Sequence, residues 1–154
     1  MTKTLTELVM LAGQTNAKNG YNGYSKAVAD GYGIDYLAKK DLLEVSELTE
    51  ALDELRAGRS ADEIYTSYPP TPGTLIAEIG NVSEAEKMFR ENIKPKLEGY
   101  LIEKFDAMIR AMGTIYEIIE EHGLDPEETL AHLTGKIEYN AQRADTANSG
   151  VKRF

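Results

Sequence analysis

The chain has no cysteine, no tryptophan and only two histidines, and none of its apolar runs approaches the length of a bilayer span. Without cysteine there are no disulfides, no thiolate metal sites and no thiol catalysis, which fits a reducing compartment. A spanning helix needs about 20 apolar residues, and the opening MTKTLTELVM lacks the basic, apolar and small-residue order of a signal peptide. The expectation is a cytoplasmic protein without a membrane partner. Positive charge is scarce as well: 17 lysines and arginines face 26 acidic residues, for a net charge of −9. Binding a nucleic-acid duplex would need a concentrated basic face, so no nucleic-acid partner is expected. A phosphorylated small molecule is compatible with such charge if cations mediate its approach. No fixed-period repeat and no low-complexity tract is present.

What the chain does have is helix. At 154 residues it reads as a single domain, 1–154, able to bury about two-thirds of its unfolded surface. A first helix is expected over 4–18, followed by a glycine-punctuated loop, NGYNGY to DGYG. Asp35 reads as the cap of a helix running to residue 57, with Gly58 as its stop. Ser60 with Glu63 and Ser83 with Glu86 have capping-box spacing, the second opening a helix of about ten residues before Pro95. SYPPTPG (67–73) breaks regular structure between them. Further helices are expected over 97–122 and from Pro126, capped by Asp125, to about residue 144. The class is therefore all-α: an antiparallel bundle of four to five helices, with about 59–96 an extended connection. Residues 145–154 form a loose tail with a basic tip at Lys152 and Arg153.

Helical periodicity then places the charges. Val45, Leu48, Leu52 and Leu55 form the expected buried stripe of the second long helix, and Glu44, Glu47 and Glu50 occupy its shoulder. A solvated acidic face is the plain alternative, and it suits Asp53 and Glu54 better than Glu47. The 97–122 helix is apolar over most of its circumference, as expected of a helix surrounded by protein. Its narrow polar slot holds Glu103, Asp106, Arg110, Gly113, Thr114 and Glu117, with small residues that leave room for a ligand. Glu47 and Glu50 facing Glu103 and Asp106 would pool negative charge, and buried carboxylates cost several kcal/mol unless paired or metal-bound. Oxygen-only donors point to magnesium or manganese. A di-iron bundle needs Glu-x-x-His, whereas His122 and His132 follow Ile119 and Thr129 at that spacing and read as surface residues. Lys136, Asn140 and Arg143 share one azimuth of the last helix beside Leu130, Leu133, Ile137 and Ala141, forming a solvated face or a phosphate clamp.

With ELTE (47–50) and EKFD (103–106) in order, followed by KIEYNAQR, the chain resembles the MazG-like all-α nucleoside triphosphate pyrophosphohydrolases. NAKNGY (16–21) is similar to the end of that family's first helix, which borders the base. The resemblance covers about two-thirds of the chain. It differs in having Ser46 where a further glutamate is frequent, in lacking tryptophans near the base, and in its longer 59–96 segment. It implies hydrolysis between the α- and β-phosphates, giving a nucleoside monophosphate and pyrophosphate. On that reading Glu47, Glu50, Glu103 and Asp106 hold two or three Mg²⁺ or Mn²⁺ ions, and Glu47 or Glu50 accepts the water's proton. Glu44 or Glu54 would substitute for the missing glutamate. Arg110, Lys136 and Arg143 meet the phosphates, Asn140 orients sugar or phosphate, and Asn16 reads the base, with Tyr21 and Tyr24 available for stacking. Asn16, Asp30 and Asp35 as acceptors make dGTP the first expectation for the substrate. The alternatives are a dUTP or dCTP diphosphatase with the same metals, and a non-catalytic helical interaction module. The apolar helices lead us to expect a homodimer or homotetramer.

Overall fold

The computed structural model describes residues 2–147, with the backbone alone beyond residue 141. Seven helices and two three-residue strands occur among the described residues, so the all-α class holds. In chain order they are α1 (Leu5–Lys18), α2 (Tyr24–Ala29), α3 (Gly33–Arg56), β1 (Tyr65–Ser67), α4 (Gly73–Ile79), α5 (Val82–Asn92), β2 (Lys96–Glu98), α6 (Tyr100–His122) and α7 (Pro126–Ala147). No described helix is long and apolar enough to cross a membrane.

Where capping chemistry is explicit, the helix ends fall as expected. Thr4 and Glu7 form a reciprocal capping box at α1, with Glu7 N–H donating to Thr4 Oγ1 (3.2 Å) and Thr4 N–H to Glu7 Oε2 (2.7 Å). Glu128 N–H donates to Asp125 Oδ1 at 2.7 Å, fixing the start of α7. That helix runs on to Ala147, so the first residues of the expected loose tail are helical, while Lys152 and Arg153 lie outside the described residues.

Other boundaries need correction. The glycine-punctuated loop contains α2, six residues long and too short to show a helical period. Asp35 is not the cap of α3 but lies in its first turn, where a negative charge complements the helix dipole. Asn81, not Ser83, caps α5, accepting from Glu84 N–H at 3.2 Å. The proline run ends in a helix start, because Pro72 sits at the cap of α4. Leu97 and Glu98, expected in helix, belong instead to β2, which pairs antiparallel with β1 in the register Tyr65↔Glu98, Thr66↔Leu97, Ser67↔Lys96. Gly99 makes the turn from β2 into α6 possible: its φ is +125°, and a Cβ there would lie 2.3 Å from the Glu63 carbonyl oxygen.

The chain divides into two compact units, one of Met1–Leu42 with Ile109–Phe154 and the other of Leu43–Met108. In the first, α1 meets α6 at reciprocal glycines. A Cβ on Gly13 would fall 1.9 Å from Tyr116 Cγ, and one on Gly113 would fall 2.2 Å from Asn16 Nδ2. Numbering rises along α1 as it falls along α6, so the two helices run antiparallel. The room expected beside Gly113 for a ligand is therefore filled by the Asn16 carboxamide. Val9, Ala12, Ala27 and Ile119 are buried in this unit, and α1 also packs on α7. The second unit holds the β1–β2 ribbon, an α4–α5 hairpin and the acid-bearing parts of α3 and α6, with Ala51, Ala85 and Ala107 buried.

The acids Glu47 and Glu103 turn inward as the pooled-carboxylate expectation requires, but the expected buried stripe of α3 does not, and on α6 the apolar face is only partly covered, with Ile119 buried. On α3 the buried residues are Glu47 and Ala51, while Val45, Leu48, Leu52 and Leu55 are exposed. On α6 Glu103, Ala107, Thr114 and Glu117 are buried, while Leu101, Phe105, Met108, Ile109 and Ile115 are exposed. Leu133 and Ile137 of α7 are likewise exposed. Small side chains let helix backbones approach closely within the chain, so the alanine-bearing ridges turn inward and carry the acids with them. Ile119, Glu103 and Val9 are the largest fully buried side chains, so large apolar residues supply little of the core.

Candidate metal centre

The inward turn of the acid-bearing ridges gathers three carboxylates in the second unit. One oxygen from each of Glu47, Glu103 and Asp106 lies within 4.8 Å of the others. Glu47 and Glu103 are buried, at 6% and 2% exposure, and Asp106 is half-buried. Glu103 and Asp106 share one face of α6 because they are three residues apart, and Glu47 reaches them from the buried ridge of α3. Glu50, one turn beyond Glu47, is exposed and stands outside this group. Glu54 also stands outside this group: it accepts from the Tyr65 hydroxyl (3.0 and 3.1 Å) and pairs with Arg59 Nε at 3.2 Å. It ties α3 to the loop and strand that follow.

The β-ribbon adds two groups that the sequence did not disclose. Glu98 accepts from Ser67 Oγ at 2.8 Å, and Lys96 Nζ lies 3.3 Å from Glu98 Oε2 and 3.8 Å from Glu103 Oε1. Burial works against the Glu98 carboxylate, yet hydrogen bonds from Ser67, Glu103 and Lys96 hold it below the usual range. The opposite holds for Glu103, pushed up to about 7 first by burial, then by its hydrogen bond to Glu98 and by the Asp106 charge, with Lys96 pulling the other way. With both carboxyls ionised, Glu103 Oε2 is buried without a hydrogen-bond donor. A proton or a bound cation would relieve that oxygen. An all-oxygen set of this kind fits a hard divalent ion, and Glu47, Glu103 and Asp106 are the residues able to hold one.

The remaining candidates belong to the first unit. Asn16 is half-buried against Gly113, while Arg110, Lys136 and Asn140 are exposed; the side chain of Arg143 lies outside the described residues. His122 and His132 are exposed, as expected of surface residues. A second buried carboxylate, Glu117, organises this unit. Its Oε2 accepts from Tyr24 N–H and the Tyr36 hydroxyl, both at 2.9 Å, and Lys40 Nζ lies 2.6 Å from its Oε1. Lys40 also donates to the Tyr21 carbonyl at 3.1 Å, and Gly23 N–H to the Tyr36 hydroxyl at 2.9 Å, so the network pins the NGYNGY turn to α3 and α6. Burial opposes the Lys40 ammonium, but Glu117 and Tyr36 outweigh it and raise its pKa.

Beside this network is a cleft of about 180 Å³ lined by Asn22, Tyr24, Ser25, Tyr116, Glu117 and Glu120, among others. Its amide and carboxylate groups come from Asn22, Glu117 and Glu120. Asp30 pairs with Lys26, and Asp35 is exposed in the first turn of α3. Tyr24 is buried against Tyr36 and His122, whereas Tyr21 is exposed. The i, i+4 spacings that would have revealed Tyr36–Lys40 and Tyr116–Glu120 are common in any helix, so sequence alone gave no reason to select them. Compared with known proteins, the chain matches no family model, no curated protein and no solved structure.

Proposed function

We propose that the chain is a divalent-metal-dependent nucleoside triphosphate pyrophosphohydrolase of the MazG-like kind. The observation that carries this reading is the gathering of Glu47, Glu103 and Asp106 oxygens within 4.8 Å, together with a buried Glu103 oxygen that lacks a donor. On this reading the three carboxylates hold Mg²⁺ or Mn²⁺. The ions, when bound, neutralise the triphosphate, polarise its phosphoryl oxygens and make a bound water more acidic. Glu50, exposed one turn from Glu47, takes the water's proton, with Glu47 as the other candidate. Arg110, Lys136, Asn140 and Arg143 are assigned to phosphate and sugar, and Asn16 and Tyr21 to the base. The products are a nucleoside monophosphate and pyrophosphate, with dGTP as first candidate substrate and dUTP or dCTP as rivals.

Product analysis after incubation with each common triphosphate tests the proposal. Monophosphate and pyrophosphate are expected with Mg²⁺ and neither with excess chelator; release of orthophosphate alone would refute it. Glu50→Gln is expected to abolish turnover while leaving helicity intact. The exposed leucine faces also suit a second reading, a non-catalytic helical module that assembles through α3 and α6. That module predicts no metal dependence of any property.

A further inference from the structure

The two ribbon residues beside the acidic centre have no part in the proposed chemistry so far. They lie on β2 two positions apart, hence on one face of the strand, and both meet Glu103, although Glu98 is not among the three carboxylates gathered within 4.8 Å. Ser67, opposite on β1, orients Glu98 through its 2.8 Å hydrogen bond, and the forced turn at Gly99 carries Glu98 directly into the first turn of α6. When Glu103 holds a proton, its carboxyl donates it in a hydrogen bond to Glu98. Lys96 Nζ bridges them unevenly, at 3.3 Å to Glu98 and 3.8 Å to Glu103. The longer approach is an ion contact beyond hydrogen-bond range, made by a half-exposed side chain on a flexible stem. An ammonium held in this way can be exchanged for a cation of higher charge.

We infer that Glu98 is a further carboxylate of the metal centre, and that Lys96 is its built-in counter-ion, displaced when a divalent ion arrives. This rests on the metal-centre reading above and deepens it. A lysine that merely braced the ribbon would act differently: removing either partner of a bracing pair loosens the ribbon, and both changes would move metal affinity in the same direction. A displaceable counter-ion and a ligand have opposite effects. Losing the ligand weakens metal binding, whereas losing the competing positive charge strengthens it.

Calorimetric titration of the chelator-stripped full chain with Mn²⁺ separates these cases. Glu98→Gln is expected to weaken Mn²⁺ binding about tenfold, and Lys96→Met to tighten it about tenfold. A readout on the unaltered protein accompanies this: the rate at which an activated ester acylates Lys96, followed by peptide mass, is expected to rise several-fold on adding Mn²⁺, with Lys104 unchanged as reference. The inference is overturned if either variant stays within about twofold of the parent, if both shift the same way, or if Lys96 labelling ignores the metal. If the parent binds no Mn²⁺ at all, the metal centre itself falls along with it. If the parent binds Mn²⁺ and cleaves triphosphate while both variants bind as the parent does, only the role of the ribbon falls.

Discussion

At the scale of single residues, Glu103 holds the most information. It is 2% exposed, lies in the first turn of α6, and has one oxygen without a donor. Its folded pKa, about 7, is raised above the ordinary 4.5, so between these values the folded, ion-free chain binds more protons than the unfolded one. Its contribution to stability is present in full below 4.5 and is lost as pH rises through about 7. Thermal unfolding in chelator is expected to show a melting temperature that falls across this window, and Glu103→Gln is expected to flatten the trend. Spacing together with the resemblance points to Glu47, Glu50, Glu103 and Asp106; a three-residue step brings Glu103 and Asp106 together on α6, whereas on α3 it leaves Glu50 exposed beside the buried Glu47. Glu98 and Lys96 were not legible, since their approach to Glu103 depends on a ribbon closed between residues 65–67 and 96–98.

At the scale of elements, the pairing of α1 with α6 shows which signals a sequence carries. Asp125 with Pro126 and Glu128 states the start of α7 outright, and the Thr4–Glu7 capping box fixes the start of α1 at the edge of the expected 4–18 helix. Elements of three to seven residues, β1, β2, α2 and α4, are too short for a period to emerge, and they were missed. Gly13 was invisible for another reason: a lone glycine in a helix looks like a flaw until its partner is known. Tyr116 occupies the space a Cβ would need. Gly13→Ala is therefore expected to destabilise the chain by about 1–3 kcal/mol through overpacking, despite alanine's better helix propensity. Urea denaturation measures this, and pairing the change with Tyr116→Ala is expected to recover part of the loss.

At the scale of the whole molecule, the exposure of the leucine stripe of α3 matters most. A helical wheel separates an apolar from a polar face, but it does not say which face the chain buries within itself. Here alanine-lined acidic ridges are buried, and Leu48 and Leu52 remain 42% and 44% exposed. Covering what remains exposed of one such leucine is worth roughly 1 kcal/mol, which favours association with a second copy when several are covered together. Light scattering is expected to report a dimer or tetramer, and Leu48→Asp with Leu52→Asp to shift the mass toward the single chain. A parent mass equal to one chain at all concentrations would remove the oligomer from the account.

The measurement that bears most directly on the acidic centre is thermal unfolding of the chelator-stripped chain with and without Mn²⁺. A metal held by Glu47, Glu103 and Asp106 is expected to stabilise the folded state by about 2.7 kcal/mol at a hundredfold excess over its dissociation constant, an effect lost in Asp106→Asn. Unfolding that is identical with and without the ion would contradict the account.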